Sequence, residues 1–363
     1  MPEPMEKQPG RLKDAAKAAA IKAVSTAAYW TGMTKALTAL CCRPRRRSGA
    51  TAGQEGPGPH LGDFQVLIYH RVHPDDAEFS LDTLTPDTFE WQMRFVKANY
   101  AVLALDEIVA MRRAGTPLPG KCLAISFDDG YRDNYLHAWP ILDKHGLPAT
   151  VFLTSDYVGT DRLLWFDQVL QGFKHTQRRA LRLEWTEGEL VLDRPGSRRR
   201  AALEVLAHLK KLENALRQQR ILQLLEELKV RPEEMGLRLM LSWDEVRELL
   251  RGGMRVGSHT ATHPILSRVG PEEARREIAS SRQVLEKETG RKITLLAYPN
   301  GRREDFTEET VRLAREAGYE AAFTTLFKNN RPEEDLFQLG RYRPWEDHVP
   351  TFALRLACYR AMV

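Results

Sequence analysis

The chain has 363 residues, 42% of them apolar and 28% charged. That is enough to bury the core of one large domain, and too apolar for a disordered chain. The net charge of +5 sits at one end: residues 1–60 hold ten Lys/Arg against four acids, or +6, and the rest sum to −1. A nearly neutral body argues against a nucleic-acid partner, whereas the basic tail suits an anionic membrane surface.

Residues 1–60 read as a tail and linker. The apolar stretch over 15–40 is interrupted by Lys17, Lys22 and Lys35 and contains Gly32. It lacks the unbroken apolar core of a cleavable signal or a transmembrane span. It fits an amphipathic surface helix with Ile21, Val24, Tyr29, Trp30, Met33 and Leu37 on its apolar side, and peripheral membrane contact is the expectation for it. Arg43 to Arg47 and the Gly/Pro-rich run to Pro59 read as a linker. Four cysteines without a CxxC pair are too few for a disulfide framework and make a zinc ribbon a poor fit.

From residue 64 short apolar runs alternate with helical stretches. The pattern predicts strands over 64–69, 100–105, 122–127, 149–154, 254–258, 293–298 and 320–325. Helices are predicted over 106–114, 242–251, 271–289 and 304–317, with a helical patch ending at His145-Gly146. Continuous apolar strands separated by helices mean parallel strands covered by helices. Seven or eight such units imply a closed α/β barrel over residues 61–363. The rhythm breaks over 171–240, whose Leu- and Arg-rich sequence reads as a helical insertion beside the barrel. A last strand is expected over 337–343. A terminal helix is expected over 351–362, with Phe352, Leu354, Leu356 and Tyr359 as its packing residues.

Three motifs carry chemistry. In Ala124-Ile-Ser-Phe-Asp128-Asp129-Gly130 an apolar strand runs into two adjacent carboxylates and a glycine turn. Strand C-termini carry the active site in barrels of this kind, and two acids there can divide metal binding and proton transfer. In Val256-Gly-Ser-His259-Thr-Ala-Thr-His263-Pro264 another strand ends before two histidines four residues apart. Two imidazoles and one carboxylate form a metal-binding set that leaves positions open for water and substrate. In Val66-Leu-Ile-Tyr69-His70-Arg71 a histidine closes a strand, where a group titrating near neutrality suits protonation of a leaving amine. Each motif alone has a bland reading, a turn or a satisfied core histidine. Their joint occurrence at strand C-termini does not.

Together the motifs resemble the polysaccharide deacetylase family, over about residues 64–345 apart from the insertion. The resemblance implies a distorted (β/α)7–8 barrel and a divalent metal, commonly Zn2+. Asp129, His259 and His263 would hold the metal, Asp128 would be the general base and His70 the general acid. The His70 motif comes first rather than last, which resembles the circularly permuted subgroup containing poly-N-acetylglucosamine deacetylases. A closed barrel tolerates this, since a strand keeps its place whether it is first or last. Leu296-Ala297-Tyr298-Pro299-Asn300-Gly301 resembles the family's third motif, but Ala297 stands where an arginine normally braces the base. Arg341 or Arg343 is the expected substitute cation. Tyr298, Trp165, Asp167 and Arg341 are the residues expected on the substrate side: Trp165 and Asp167 lining the sugar cleft, and the backbone near Tyr298 helping to bind the oxyanion. The implied reaction is hydrolysis of the N-acetyl group of an N-acetylhexosamine in a glycan or lipid-linked sugar. A deformylase or O-acetyl esterase using the same site, and an inactive glycan-binding protein, are the alternatives.

Overall fold

The computed structural model describes residues 9–31, 61–74, 79–186 and 188–361. In chain order, helix α1 (Pro9–Trp30) precedes β1 (Phe64–Tyr69), β2 (Arg71–Val72) and β3 (Thr83–Leu84). Then come α2 (Pro86–Asn99), β4 (Ala101–Val102), α3 (Leu105–Arg113) and β5 (Cys122–Phe127). A π-helical turn (Asn134–Ala138) runs into α4 (Trp139–His145), followed by β6 (Thr150–Leu153). An excursion follows: α5 (Trp165–His175), the antiparallel hairpin of β7 (Ala180–Arg182) and β8 (Glu189–Val191), α6 (Ser197–Leu209) and α7 (Asn214–Leu228). The chain returns through α8 (Trp243–Arg251), β9 (Arg255–Ser258), α9 (Pro271–Thr289), β10 (Leu295–Ala297), α10 (Glu308–Glu316), β11 (Ala321–Phe323) and α11 (Val349–Ala361).

β1 and β5 are buried at every position, as parallel strands covered on both faces must be. The strands run parallel in the order β1-β5-β6-β9-β10-β11, with β4 beside the start of β5. The segment expected as a last strand closes the circle by single parallel pairings, Phe323 with Leu339 and Leu67 with Tyr342. This is a distorted (β/α) barrel.

Side chains alternate along each strand. Phe64, Val66, Cys122, Ala124, Phe152, Leu295, Ala297, Phe323 and Leu339 share one cluster, which fills the barrel. Their neighbours Leu67, Leu123, Ile125, Val151 and Leu296 join Val246, Ile278 and Val311 of the covering helices. A Cβ at Gly257 would meet the Phe152 ring at 2.5 Å, so Gly257 also faces inward. One period beyond the inward positions come His70, Asp128 and His259, at the C-terminal mouth.

The structure differs from expectation in four places. It adds α2, whose start signals are Thr85, accepting from the Thr88 amide, and Pro86 in the first turn. The excursion is not purely helical, because it contains the β7–β8 hairpin. Its own apolar core already includes Leu164 and Trp165, ahead of residue 171. In the tail, α1 packs on α11: Ser25 Oγ lies 3.0 Å from Thr351 Oγ1, Ala28 is buried, and Lys22 pairs with Asp347 at 3.2 Å. Val24 and Trp30 stay exposed, while Met33 and Leu37 lie outside the described residues. No described helix is long and apolar enough to cross a membrane.

Candidate metal centre

The Asp128 amide continues the sheet by donating to Tyr69 O at 2.9 Å. Asp129 then takes φ +73° and Gly130 φ +88°. In a regular strand adjacent side chains point to opposite faces; the left-handed step at Asp129 brings both carboxylates to one mouth. A Cβ at Gly130 would meet Leu153 Cδ2 at 2.8 Å, so glycine is required by space as well as by φ. Non-glycine residues in this region cost about 1–3 kcal/mol and cluster at functional sites.

The second loop repeats the device, with Thr260 at φ +66° and His263 at φ +60°. Glu277 of α9 holds it, accepting from the Ala261 amide at 3.0 Å, the Thr262 amide at 2.8 Å and the Thr262 hydroxyl at 2.6 Å. Thr260 Oγ1 accepts from the His263 amide at 3.2 Å.

His259 Nε2 lies 3.5 Å and His263 Nε2 3.3 Å from Asp129 Oδ1, and the three residues are buried. Their donor atoms all lie within 4.8 Å of one another. Asp129 Oδ1 is buried without a hydrogen-bond partner. Burying a carboxylate oxygen this way is costly unless a cation completes it, so the residues fit a metal ion. His259 Nδ1 is 2.8 Å from Ala297 O, a contact that fixes the proton on Nδ1 and leaves Nε2 as a lone-pair donor. Burial pushes His259 down to about 4, so the imidazole is neutral at pH 7. Burial would raise Asp129, but the flanking imidazoles of His263, His70 and His259 hold it well below the usual carboxylate range.

Of the two expected cations, Arg341 meets Asp128. Its guanidinium bonds both carboxylate oxygens, at 2.7 and 2.8 Å, and also donates to Thr324 O at 2.9 Å. Against the upward pull of burial, Arg341 and then His259 keep Asp128 below its ordinary value. Arg343 instead pairs with Asp82 at 2.9 Å. Asp82 also accepts from Trp345 Nε1 at 3.2 Å and faces His70 Nδ1 at 3.9 Å. The Asp133-Asn134 pair ties this strand to the Asp-Asp loop: Asn134 Nδ2 donates to His70 O at 2.8 Å, and Asp133 accepts from Arg71 Nε at 2.7 Å. A cleft of about 440 Å3 opens over His70, Asp128, Asp129, His259 and His263.

The four residues expected on the substrate side are not in that cleft. Tyr298 is fully buried and stacks on Phe306; its hydroxyl donates to Phe337 O and its amide to Phe323 O, so neither reaches an oxyanion. Trp165 is core of the excursion, under the Arg217 guanidinium. Asp167 is buried and accepts from Tyr131 Oη at 2.7 Å; it is Tyr131 that lines the cleft. Arg341 is sealed behind Asp128 with 1% of its surface exposed. Apolar strands and helix starts mark such positions as buried or near a site, but not on which side of the wall they fall. Sequence reasoning also missed Glu277, Asp82 and Asn134. Asn134 lay close to the first motif, and Glu277 carried no local signal on a helix rich in acids.

Fold and site define a class: a parallel α/β barrel with an Asp-His-His cluster of metal-binding type at the strand C-termini. Residues 115–322, more than half of the chain, match the family model described as Polysaccharide deacetylase. The chain belongs to the polysaccharide deacetylase family. It is 22% identical over 279 residues to YxkH of Bacillus subtilis (strain 168), named provisionally as a polysaccharide deacetylase; the match covers 77% of this chain and 70% of that protein. It is 30% identical over 118 residues to the poly-beta-1,6-N-acetyl-D-glucosamine N-deacetylase of Escherichia coli (strain K12), covering 32% of this chain and only 17% of that enzyme. Among solved structures, the Streptococcus pyogenes deacetylase PplD in complex with acetate superposes with a TM-score of 0.56 at 20% identity, covering 81% of this chain and 98% of that one. IcaB from Ammonifex degensii gives 0.53 at 20% identity, with the same coverage. At these identities the superpositions bear on the fold.

Proposed function

We propose that this protein removes the N-acetyl group from an N-acetylhexosamine in a glycan or lipid-linked sugar, using a divalent ion, most naturally Zn2+, held by Asp129, His259 and His263. The observation that carries the reading is the meeting of those three donors beside an arginine-braced Asp128 and within one cleft with His70. Two histidines and one carboxylate match the ligand set of hydrolytic zinc sites. When bound, such an ion acidifies water and polarises the acyl carbonyl.

The chain's own residues supply the rest. Asp128, kept anionic by Arg341, accepts the proton from the attacking water. His70 gives a proton to the amine nitrogen as the C–N bond breaks and a C–O bond to the acyl carbon replaces it. The products are acetate and a free amino sugar. Asp82 lies 3.9 Å from His70 Nδ1, near enough to favour the protonated imidazole electrostatically. Removing the acid or the base from such a pair typically costs 10²–10⁴-fold.

Metal content and acetate release from N-acetylglucosamine oligomers test the reading. Asp128→Asn should retain the ion and lose turnover, whereas His263→Ala should lose the ion itself. Equal turnover in Asp128→Asn and wild type would remove Asp128 as the base.

A further inference from the structure

One wall of the cleft does not come from the barrel. The excursion supplies it through Leu203, Leu206 and Ala207 of α6 and through Lys210 and Lys211 just beyond. Facing them on the same cleft are Arg268, Arg302 and Arg343. Five cations thus line the cleft together with five acids, Asp82, Asp128, Asp129, Glu304 and Asp305, and the two sets are unevenly paired. Asp82 is held by Arg343 at 2.9 Å, Asp305 accepts from the Arg302 amide at 3.0 Å, and Glu304 lies 4.0 Å from Arg302. Asp128 is neutralised by Arg341. Among the described residues, no carboxylate lies within ion-pair distance of Lys210, Lys211 or Arg268.

Lys210 is the informative one. It is half-buried, and its charge is felt by Arg302, Asp305, Asp82 and Arg343. Burial and then the Arg302 charge work against its protonated form. A lysine at a helix C-terminus is favoured by the helix dipole, but that does not require burial. A half-buried, unpaired cation costs stability unless an anion arrives to meet it.

We propose that the cleft takes an N-acylated sugar bearing an anionic substituent, a phosphate or a carboxylate, and that Lys210 of the excursion receives that charge. The inference rests on the reading of the cleft as an acylated-sugar site. It makes the excursion the specificity element of the barrel, because the excursion supplies the residue that separates charged from neutral substrates. The unpaired cations of this cleft also speed capture of anionic substrates, an effect that salt screens.

The test uses the full, metal-loaded chain and calorimetric titration with N-acetylglucosamine, N-acetylglucosamine 1-phosphate and N-acetylmuramic acid, at low and high salt. At least one charged ligand should bind about tenfold or more tightly than the neutral sugar, with the advantage shrinking in salt. The preferred arm distinguishes phosphate from carboxylate. The advantage should vanish in Lys210→Met and return in Lys210→Arg. Equal binding of all three ligands overturns the proposal. So does an advantage that survives Lys210→Met, since the metal centre would then account for it. Acetate release is followed in parallel, with N-acetylglucosamine oligomers included: none from any ligand or oligomer, with the Lys210-dependent advantage intact, would defeat the deacetylase reading and leave the anion site standing.

Discussion

Arg341 donates two parallel hydrogen bonds to Asp128, Nη1 to Oδ1 at 2.7 Å and Nη2 to Oδ2 at 2.8 Å, with both side chains buried. The pair joins residues 213 positions apart. Leu339 pairs with β11 and Tyr342 with β1, so Arg341 rides on the segment that closes the barrel, and the Arg341 guanidinium passes 5.5 Å from the ring of Phe152 in the interior. The planar fork fixes the carboxylate's orientation as well as its charge.

Arg341→Met should leave a buried, unpaired carboxylate. A loss of about 3–5 kcal/mol in stability is expected, together with a fall in kcat of roughly 10²-fold or more as Asp128 takes up a proton. Arg341→Lys keeps the charge but not the fork. It should fold, keep its metal, and show the acid limb of its pH–rate profile moved upward, because Asp128 is no longer held as low. A Lys variant with the wild-type profile would show that the bidentate geometry does not matter.

Asp167 gives a pH-dependent stability. Burial lifts it to about 7 against the opposing pull of Arg71 and Tyr131, whereas an unfolded aspartate titrates near 4 (~3.9). Below about pH 4 both states hold the proton. Between about 4 and 7 only the folded chain does, so stability falls as pH rises through that window, by up to about 1.4 kcal/mol per unit. Asp167→Asn, which still accepts from Tyr131, should remove this slope in the metal-free protein. Urea unfolding should therefore favour the variant over wild type more at pH 7.5 than at pH 5. The same difference at both values would refute the assignment.

Gly130→Ala and Gly115→Ala separate backbone strain from crowding. Gly130 has φ +88° and its new methyl would strike Leu153 at 2.8 Å, while Gly115 has φ +68° and open space around it. The Gly115 variant should lose about 1 kcal/mol from the backbone alone. The Gly130 variant should lose roughly 1–3 kcal/mol more through the clash, and it should bind metal more weakly because Asp129 is the adjacent residue. Equal losses measured by denaturant unfolding would mean that Leu153 simply yields.

The barrel strands and most residues of the candidate site can be read from local stretches of the chain. β1, β5, β6 and β9 lie within a residue of where apolar runs end in polar ones, because a strand buried on both faces must be continuously apolar. His70, Asp128 and His259 were legible because each directly follows such a strand, and Asp129 and His263 because they stand close behind in the same loops. Which distant groups serve them depends on long-range packing. That Arg341 rather than Arg343 braces Asp128, that Glu277 holds the histidine loop, and that Tyr298, Trp165 and Asp167 lie behind the cleft wall follow from barrel closure and from the packing of the excursion. Both are long-range contacts, and local periodicity carries no record of what stands on the far side of a closed sheet.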